Sequence, residues 1–164
     1  MMFLQAYPKN LSMKTPLTKA LILTLVICGF TAFKTTLFKK TGIEGYVYKV
    51  TGNQMPSPDI KPAAPQGMKA VISIYELTNI NQARQKSGSP FFSSISTKLV
   101  KQVETNKKGY FKVKLPPGDY SLFIQKDSLF YANQFDSKNN ILPVTVRHKK
   151  MSKVELRMDY NAVY

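Results

Sequence analysis

Asn106 to Gln125, NKKGYFKVKLPPGDYSLFIQ, is the stretch whose reading decides the fold. Asn106-Lys107-Lys108-Gly109 is turn chemistry: Asn opens the turn and Gly accepts the positive φ that closes it. Phe111, Val113 and Leu115 then alternate with Tyr110, Lys112 and Lys114. That period of two puts one face in a core and the other in water. Pro116-Pro117-Gly118-Asp119 ends the strand, with Pro presetting φ and Gly free to go left-handed. Tyr120, Leu122 and Ile124 alternate in turn with Ser121, Phe123 and Gln125. Two short strands, each closed by a tight turn, point to an all-β domain.

The same signals extend outward. Gly42 to Val50, GIEGYVYKV, reads as the first strand, with Ile43, Gly45 and Val47 on one face and Gly45 permitting close backbone approach. Tyr46 and Tyr48 fall on the other face; a binding stripe and packing beneath a loop are both open to them, and the loop is the expectation. Thr51 to Lys69 holds Pro56, Pro58, Pro62 and Pro65 and reads as a long loop, because a prolyl nitrogen donates nothing to a ladder. Ala70 to Leu77, AVISIYEL, is almost continuously apolar, as a central strand would be. Thr78 to Pro90 reads as a second long loop with a helical turn near Asn81 to Gln85, followed by Phe91 and Phe92 as loop anchors or exposed aromatics. Ser96 to Glu104 reads as a strand paired through the Asn106 turn with Tyr110 to Leu115, Leu99 and Val103 facing one way and Val100 the other. Ile141 to Arg147 reads as a strand led in by Pro143, which suits an edge or a strand start. After the basic turn Arg147 to Lys150, Met151 to Met158 turns Val154, Leu156 and Met158 inward and Lys153, Glu155 and Arg157 outward. The sum is a Greek-key β-sandwich of about seven strands over residues 42–164.

With 43% hydrophobic residues in 164, the chain can build a packed core, which argues against wholesale disorder. The net charge is +15, and six of the lysines but none of the acids lie in the first forty positions. From Thr41 onward, 18 basic and nine acidic residues leave +9. Many of these lysines belong on the wet faces and edges of strands, and the surplus favours an anionic surface. A lone cysteine, Cys28, excludes an internal disulfide framework, and a lone histidine, His148, leaves little with which to build a triad or a histidine metal cage.

Residues 1–34 read as an export signal or membrane anchor. Lys9, Lys14 and Lys19 precede the apolar run Ala20 to Phe33, ALILTLVICGFTAF, whose fourteen residues suit a signal-peptide core better than a full membrane span. Cys28-Gly29 after Leu25-Val26-Ile27 resembles a lipoprotein lipobox, although Ile27 is larger than the residue that motif takes before its cysteine. Lipidation at Cys28, cleavage near Thr31-Ala32 and a retained anchor are all compatible with this stretch. Residues 35–41 form a short basic linker. The localisation expected is exported: periplasm, outer membrane or cell surface.

At TNKKGYFKVKLPPGDYSLFI the chain resembles the carboxypeptidase regulatory-like domain, a prealbumin-like (transthyretin-like) β-sandwich. The residues that carry the resemblance are Gly45-Tyr46-Val47, the strand Ala70 to Leu77, the Thr105, Gly109 and Phe111 segment, and the corner Pro117-Gly118-Asp119-Tyr120. It covers roughly Gly42 to Met158, with long insertions after the first and second strands, and is similar to the small exported single-domain members of Bacteroidota-type bacteria. The resemblance implies an accessory, structural or ligand-binding module, and it transfers no catalytic residue.

The residue inventory itself points the same way. No H-x-x-E, H-E-x-x-H, C-x-x-C, G-x-S-x-G or phosphate-cradling Gly loop occurs. No enzyme, cofactor or metal is expected; Asn133, Asp136, Asn139 and Asn140 offer one carboxylate, too few for a good calcium site, and read as a turn. The expected function is a non-catalytic cell-envelope module for attachment or protein–protein interaction, joined to the membrane by its N-terminal segment. The alternative is a carbohydrate-binding module using the loop aromatics Phe130, Tyr131 and Phe135 as platforms, although for these rings the expectation is that they fill the ends of the sandwich. The charge surplus would also serve nucleic acid, but an export signal argues against that partner.

Overall fold

Period-two alternation runs through this domain because two β-sheets enclose one core. The computed structural model describes residues 41–55 and 63–164. Cys28, the 1–34 segment, the linker as far as residue 40, and Pro56, Pro58 and Pro62 lie outside the described residues. The strands are β1 (Gly42–Asn53), β2 (Gln66–Gly67), β3 (Val71–Glu76), β4 (Ala83–Gln85), β5 (Phe91–Ile95), β6 (Leu99–Glu104), β7 (Tyr110–Lys114), β8 (Gly118–Lys126), β9 (Leu129–Tyr131), β10 (Pro143–Val146) and β11 (Met151–Val163). Among the described residues the only helix is a 3-10 turn, Ile80–Gln82, capped by the Asn79 side chain.

The first sheet has β1 at its centre. It pairs with β11 in parallel on one side; on the other, β7 covers its first half and β2 part of its second, both antiparallel. The second sheet runs β4-β5-β9-β8-β3-β6, and β10 pairs the start of β8. Strand β8 returns to lie beside β3 rather than beside its chain neighbour β7, the displaced return of a Greek key. Ile43, Val47, Phe111, Val113 and Leu156 of the first sheet and Ile72, Ile74, Leu122, Ile124 and Val144 of the second belong to the same buried cluster. The fold is therefore an all-β two-sheet sandwich, compatible with a prealbumin-like arrangement.

All seven strands read from the sequence are present, and four short ones are added. Strand β2 comes from the proline-rich loop, β4 from the second loop, β5 from the stretch that Phe91 and Phe92 begin, and β9 from Leu129 to Tyr131. The first strand runs longer than expected, to Asn53, and the last continues into the tail Asp159 to Tyr164, as that tail's reading allowed, because each supplies the other's ladder partners as far as Val163.

Three local expectations are corrected. First, β6 does not pair with β7. It pairs with β3, and β7 crosses to β1 in the other sheet. The crossing is held by Thr105, only 3% exposed, whose Oγ1 donates to the Met68 carbonyl (2.7 Å) and accepts from the Ala70 N–H (2.8 Å). Second, a register shift in β6 sets Leu99 opposite Tyr75 and Val103 opposite Ile72, so those two side chains face opposite ways. Third, Gly118 keeps the positive φ expected of a glycine there, 157°, but it opens β8 rather than closing a turn.

The second face of β8 also differs. Ser121 and Phe123 are buried, not wet. Phe123 meets Tyr75, Phe92 and Phe130 with ring centroids 5.6, 5.8 and 6.2 Å away, all edge-on, the favoured aromatic geometry. The 78–97 segment closes over this face. Thr78 N–H donates to Ser121 Oγ (2.9 Å), and Thr78 Oγ1 lies 2.6 Å from Thr97 Oγ1, joining the two ends of the segment.

Candidate functional site

The outward face of the first sheet carries an aromatic patch that the core does not use. Alternation sends Ile43, Gly45 and Val47 inward, which leaves Glu44, Tyr46 and Tyr48 outward on β1. Pairing with β7 places Tyr110 directly opposite Tyr46 and Lys112 opposite Glu44. Tyr46 and Tyr48 stack at 5.9 Å with 15° between their planes, and Tyr110 tilts against Tyr46 at 5.3 Å. Tyr46 is 43% exposed and so is not packed beneath a loop as expected, whereas Tyr48, opposite Gly67, and Tyr110 are half-buried. On the other side of β1, Lys153 and Glu155 of β11 stand opposite Glu44 and Tyr46, and Glu155 pairs with Arg157 at 2.9 Å.

The charged border is ordered. Lys112 Nζ donates to Glu44 Oε2 (2.6 Å), and the Tyr110 hydroxyl donates to the same oxygen (3.3 Å). The Lys112 hydrogen bond is the largest cause holding the Glu44 carboxyl below its ordinary value, with Tyr110 and the charge of Lys153 adding to it. Glu44 also raises the Lys112 ammonium, chiefly through the same hydrogen bond. Pairs as open to solvent as this contribute little to stability; their effect is to fix where Tyr110 and Lys112 point.

The aromatics singled out in the sequence do not form a shared platform. Tyr131 is 1% exposed and fills the core; its hydroxyl donates to Asp159 Oδ1 (2.5 Å) and accepts from the Asp159 N–H (3.1 Å). Burial, then this hydrogen bond, push its phenol well above the ordinary tyrosine value. Phe130, opposite Gln125, is half-buried against Tyr75 and Phe123. Phe135 alone is well exposed, at 44%, in an isolated bridge with Ile141. Asp136 closes a turn, its Oδ1 accepting from the Lys138 and Asn140 N–H groups, both at 2.8 Å. Those bonds, led by the Asn140 N–H, hold its carboxyl low. Asn133 bonds Asp159 instead of joining that turn (2.7 Å).

The residues behind the resemblance have structural duties. A Cβ on Gly45 would lie 2.0 Å from the Val154 carbonyl oxygen, so only glycine lets β1 and β11 close up. Gly109 has φ 81° and accommodates the Val47 carbonyl, while Asn106 Oδ1 accepts from the Lys108 and Tyr110 N–H groups (2.9 and 3.0 Å). The Tyr120 hydroxyl ties the corner by donating to the Pro116 carbonyl (3.0 Å).

Sequence reading missed the trio because Tyr110 looked like an isolated wet position in its strand. Only the β1–β7 pairing turns three separate tyrosines into one surface. The available signal was tyrosine, rather than lysine or threonine, at two consecutive outward positions of β1 and at the first outward position of β7, strands that each carry a core face. No family model, curated protein or solved structure matches this chain.

Proposed function

We propose that this chain is a non-catalytic module of the cell envelope, of the carboxypeptidase regulatory-like kind, which attaches to a protein partner through the outward face of its first sheet. The observation that carries the reading is the Tyr46–Tyr48–Tyr110 surface. Tyrosine gives a large, rigid contact area with a polar tip at small entropic cost, and it is enriched where proteins bind proteins. The β1–β7 ladder holds the rings in place before any partner arrives, which lowers the ordering cost of binding. The envelope assignment rests on residues 1–34, basic and then apolar. The family assignment is supported by Gly45, Thr105, Gly109 and Tyr120 each filling a definite place in the sandwich.

The test is crosslinking of the full chain in envelope fractions, with Tyr46→Ala and Tyr110→Ala as variants. Both should stay folded and lose capture of the partner by roughly tenfold or more, as hot-spot aromatics do. Unchanged capture in both variants, or no partner captured by the parent chain, would count against the reading.

A second reading, glycan binding, draws on the exposed Tyr46 ring, against which Tyr48 stacks and Tyr110 tilts. It moves the platform away from Phe130, Tyr131 and Phe135. Silence of the full chain on a glycan array would remove it.

A further inference from the structure

Three strand ends meet where the described chain begins. Lys149 N–H donates to Thr41 Oγ1 (2.9 Å), Gly42 N–H to the Lys150 carbonyl (3.3 Å), and Leu115 N–H to the Thr41 carbonyl (3.3 Å). These bonds gather the β10–β11 turn, the start of β1 and the end of β7 into one tip. Lys114, Arg147, Lys149 and Lys150 project there, all exposed. None of the four is in an ion pair among the described residues, whose pairs use Lys69, Lys112, Lys126 and Arg157. Of the nearby acids, Glu44 is paired with Lys112, and Asp119 accepts from the neutral Thr145 hydroxyl (2.6 Å) without joining an ion pair among the described residues. A groove of about 400 Å³ opens beside the turn, lined by Thr145, Arg147, Lys150, Met151, Ser152 and Lys153.

Stability alone does not account for this turn. Lys149 holds φ 58°, a left-handed conformation that Gly or Asn adopts at lower cost. Clustered like charges also repel one another without a counter-charge. An anionic surface would relieve that repulsion, and the chain's own order brings one near. Thr41 is separated from the apolar run that ends at Phe33 by seven residues, among them Lys34, Lys39 and Lys40. Seven residues reach at most about 25 Å. If residues 20–33 enter a bilayer, the tip cannot leave the neighbourhood of its surface.

We propose that this tip is the membrane-facing end of the domain, with Lys114, Arg147, Lys149 and Lys150 lying against the headgroups of anionic lipids. The proposal rests on residues 1–34 acting as a retained membrane anchor. It orients the domain: the tip lies on the bilayer, and β7 leads away from it toward the Asn106–Gly109 turn at its other end.

The test uses the full chain on phosphatidylcholine vesicles, with and without about 30 mol% phosphatidylglycerol, and reads lysine acetylation by mass spectrometry. Lys114, Lys149 and Lys150 should become protected on anionic vesicles only, and lose that protection in roughly 0.5 M salt. Lys107 and Lys108, at the far end of β7, are the internal reference and should not change. In the variant R147Q/K149N/K150Q, the ratio of partition into anionic over neutral vesicles should fall about a hundredfold, near fivefold per charge removed.

A chain that binds neutral vesicles, yet shows Lys114, Lys149 and Lys150 as reactive as Lys107 and Lys108 on anionic ones, overturns the membrane-facing tip and leaves the anchor standing. Failure to bind neutral vesicles refutes the anchor and takes the proposed orientation with it, an outcome distinct from the first. Protection by soluble dextran sulfate with none on anionic vesicles assigns the tip to a soluble polyanion and overturns the proposal.

Discussion

Thr105→Val is the sharpest single test of how the two sheets are joined. Valine keeps the volume of threonine and removes only the hydroxyl. That hydroxyl satisfies two backbone groups, the Met68 carbonyl at 2.7 Å and the Ala70 N–H at 2.8 Å. Each group left unpaired costs about 1–3 kcal/mol when buried. Met68 and Ala70 are half-buried, so water recovers part of that and the lower half of the range applies to each. The expected loss is about 2–4 kcal/mol. For a domain of this size that lowers Tm by roughly 8–16 °C. Thr105→Ser keeps the hydroxyl and loses one buried methyl group, worth about 1 kcal/mol. The Thr105 N–H bond to the Ala70 carbonyl (2.9 Å) survives in both variants. Urea and thermal unfolding of the full chain, followed by circular dichroism, reads the difference. If valine melts within about 2 °C of the parent, or if serine falls further than valine, the hydroxyl is not what fixes the crossing from β6 to β7.

Other consequences are tested in the same way. Gly109→Ala would force a side chain into φ 81° and set its Cβ 2.2 Å from the Val47 carbonyl oxygen, beside the 2.9 Å bond from Val47 N–H to Gly109. It should cost at least about 2 kcal/mol in urea unfolding, more than the left-handed backbone alone. Phe123→Ala should cost about 3–5 kcal/mol, because the ring is fully buried among Tyr75, Phe92 and Phe130; a loss under roughly 0.5 kcal/mol would restore the wet-face reading of β8. The Glu44 carboxyl is held low by the Lys112 hydrogen bond. Its contribution is therefore present above the ordinary glutamate value and fades as pH falls through the depressed one. Carboxyl NMR titration should place its midpoint below the usual range, and Lys112→Ala should bring it back up.

The faces of the strands were legible because alternation is local: Phe111, Val113 and Leu115 are buried while Lys112 and Lys114 are exposed. Partners were not legible in the same way. Consecutive strands usually pair, and that tendency favoured a β6–β7 hairpin, but Thr105 turns the chain into the other sheet before β7 begins. The second face of β8 was hidden for a related reason. What covers Phe123 is the 78–97 segment, far away in sequence and too polar to announce itself as a cover. The added residue in β6 that separates Leu99 from Val103 leaves no mark in composition either. The tyrosine trio shares that limit, since it exists only once β1 and β7 are known to be neighbours.

A resemblance that transfers a fold without a site has a physical reason in this chain. Gly45 is spent on letting a carbonyl approach, Gly109 on a left-handed turn, Thr105 on two backbone groups, and Tyr120 on its corner. A side chain or an empty Cβ position committed to the backbone in this way has nothing left to offer a ligand. Residues that specify the sandwich and residues that could recognise a partner must then be different sets. The second set is confined to positions where alternation points a strand at solvent. On the first sheet those positions hold Tyr46, Tyr48 and Tyr110 within a charged border, and polar residues that ask for water would have served the fold there equally well. Replacing all three tyrosines should therefore leave the sandwich standing while removing attachment, a separation of stability from binding that no substitution at Gly45, Thr105, Gly109 or Tyr120 can produce.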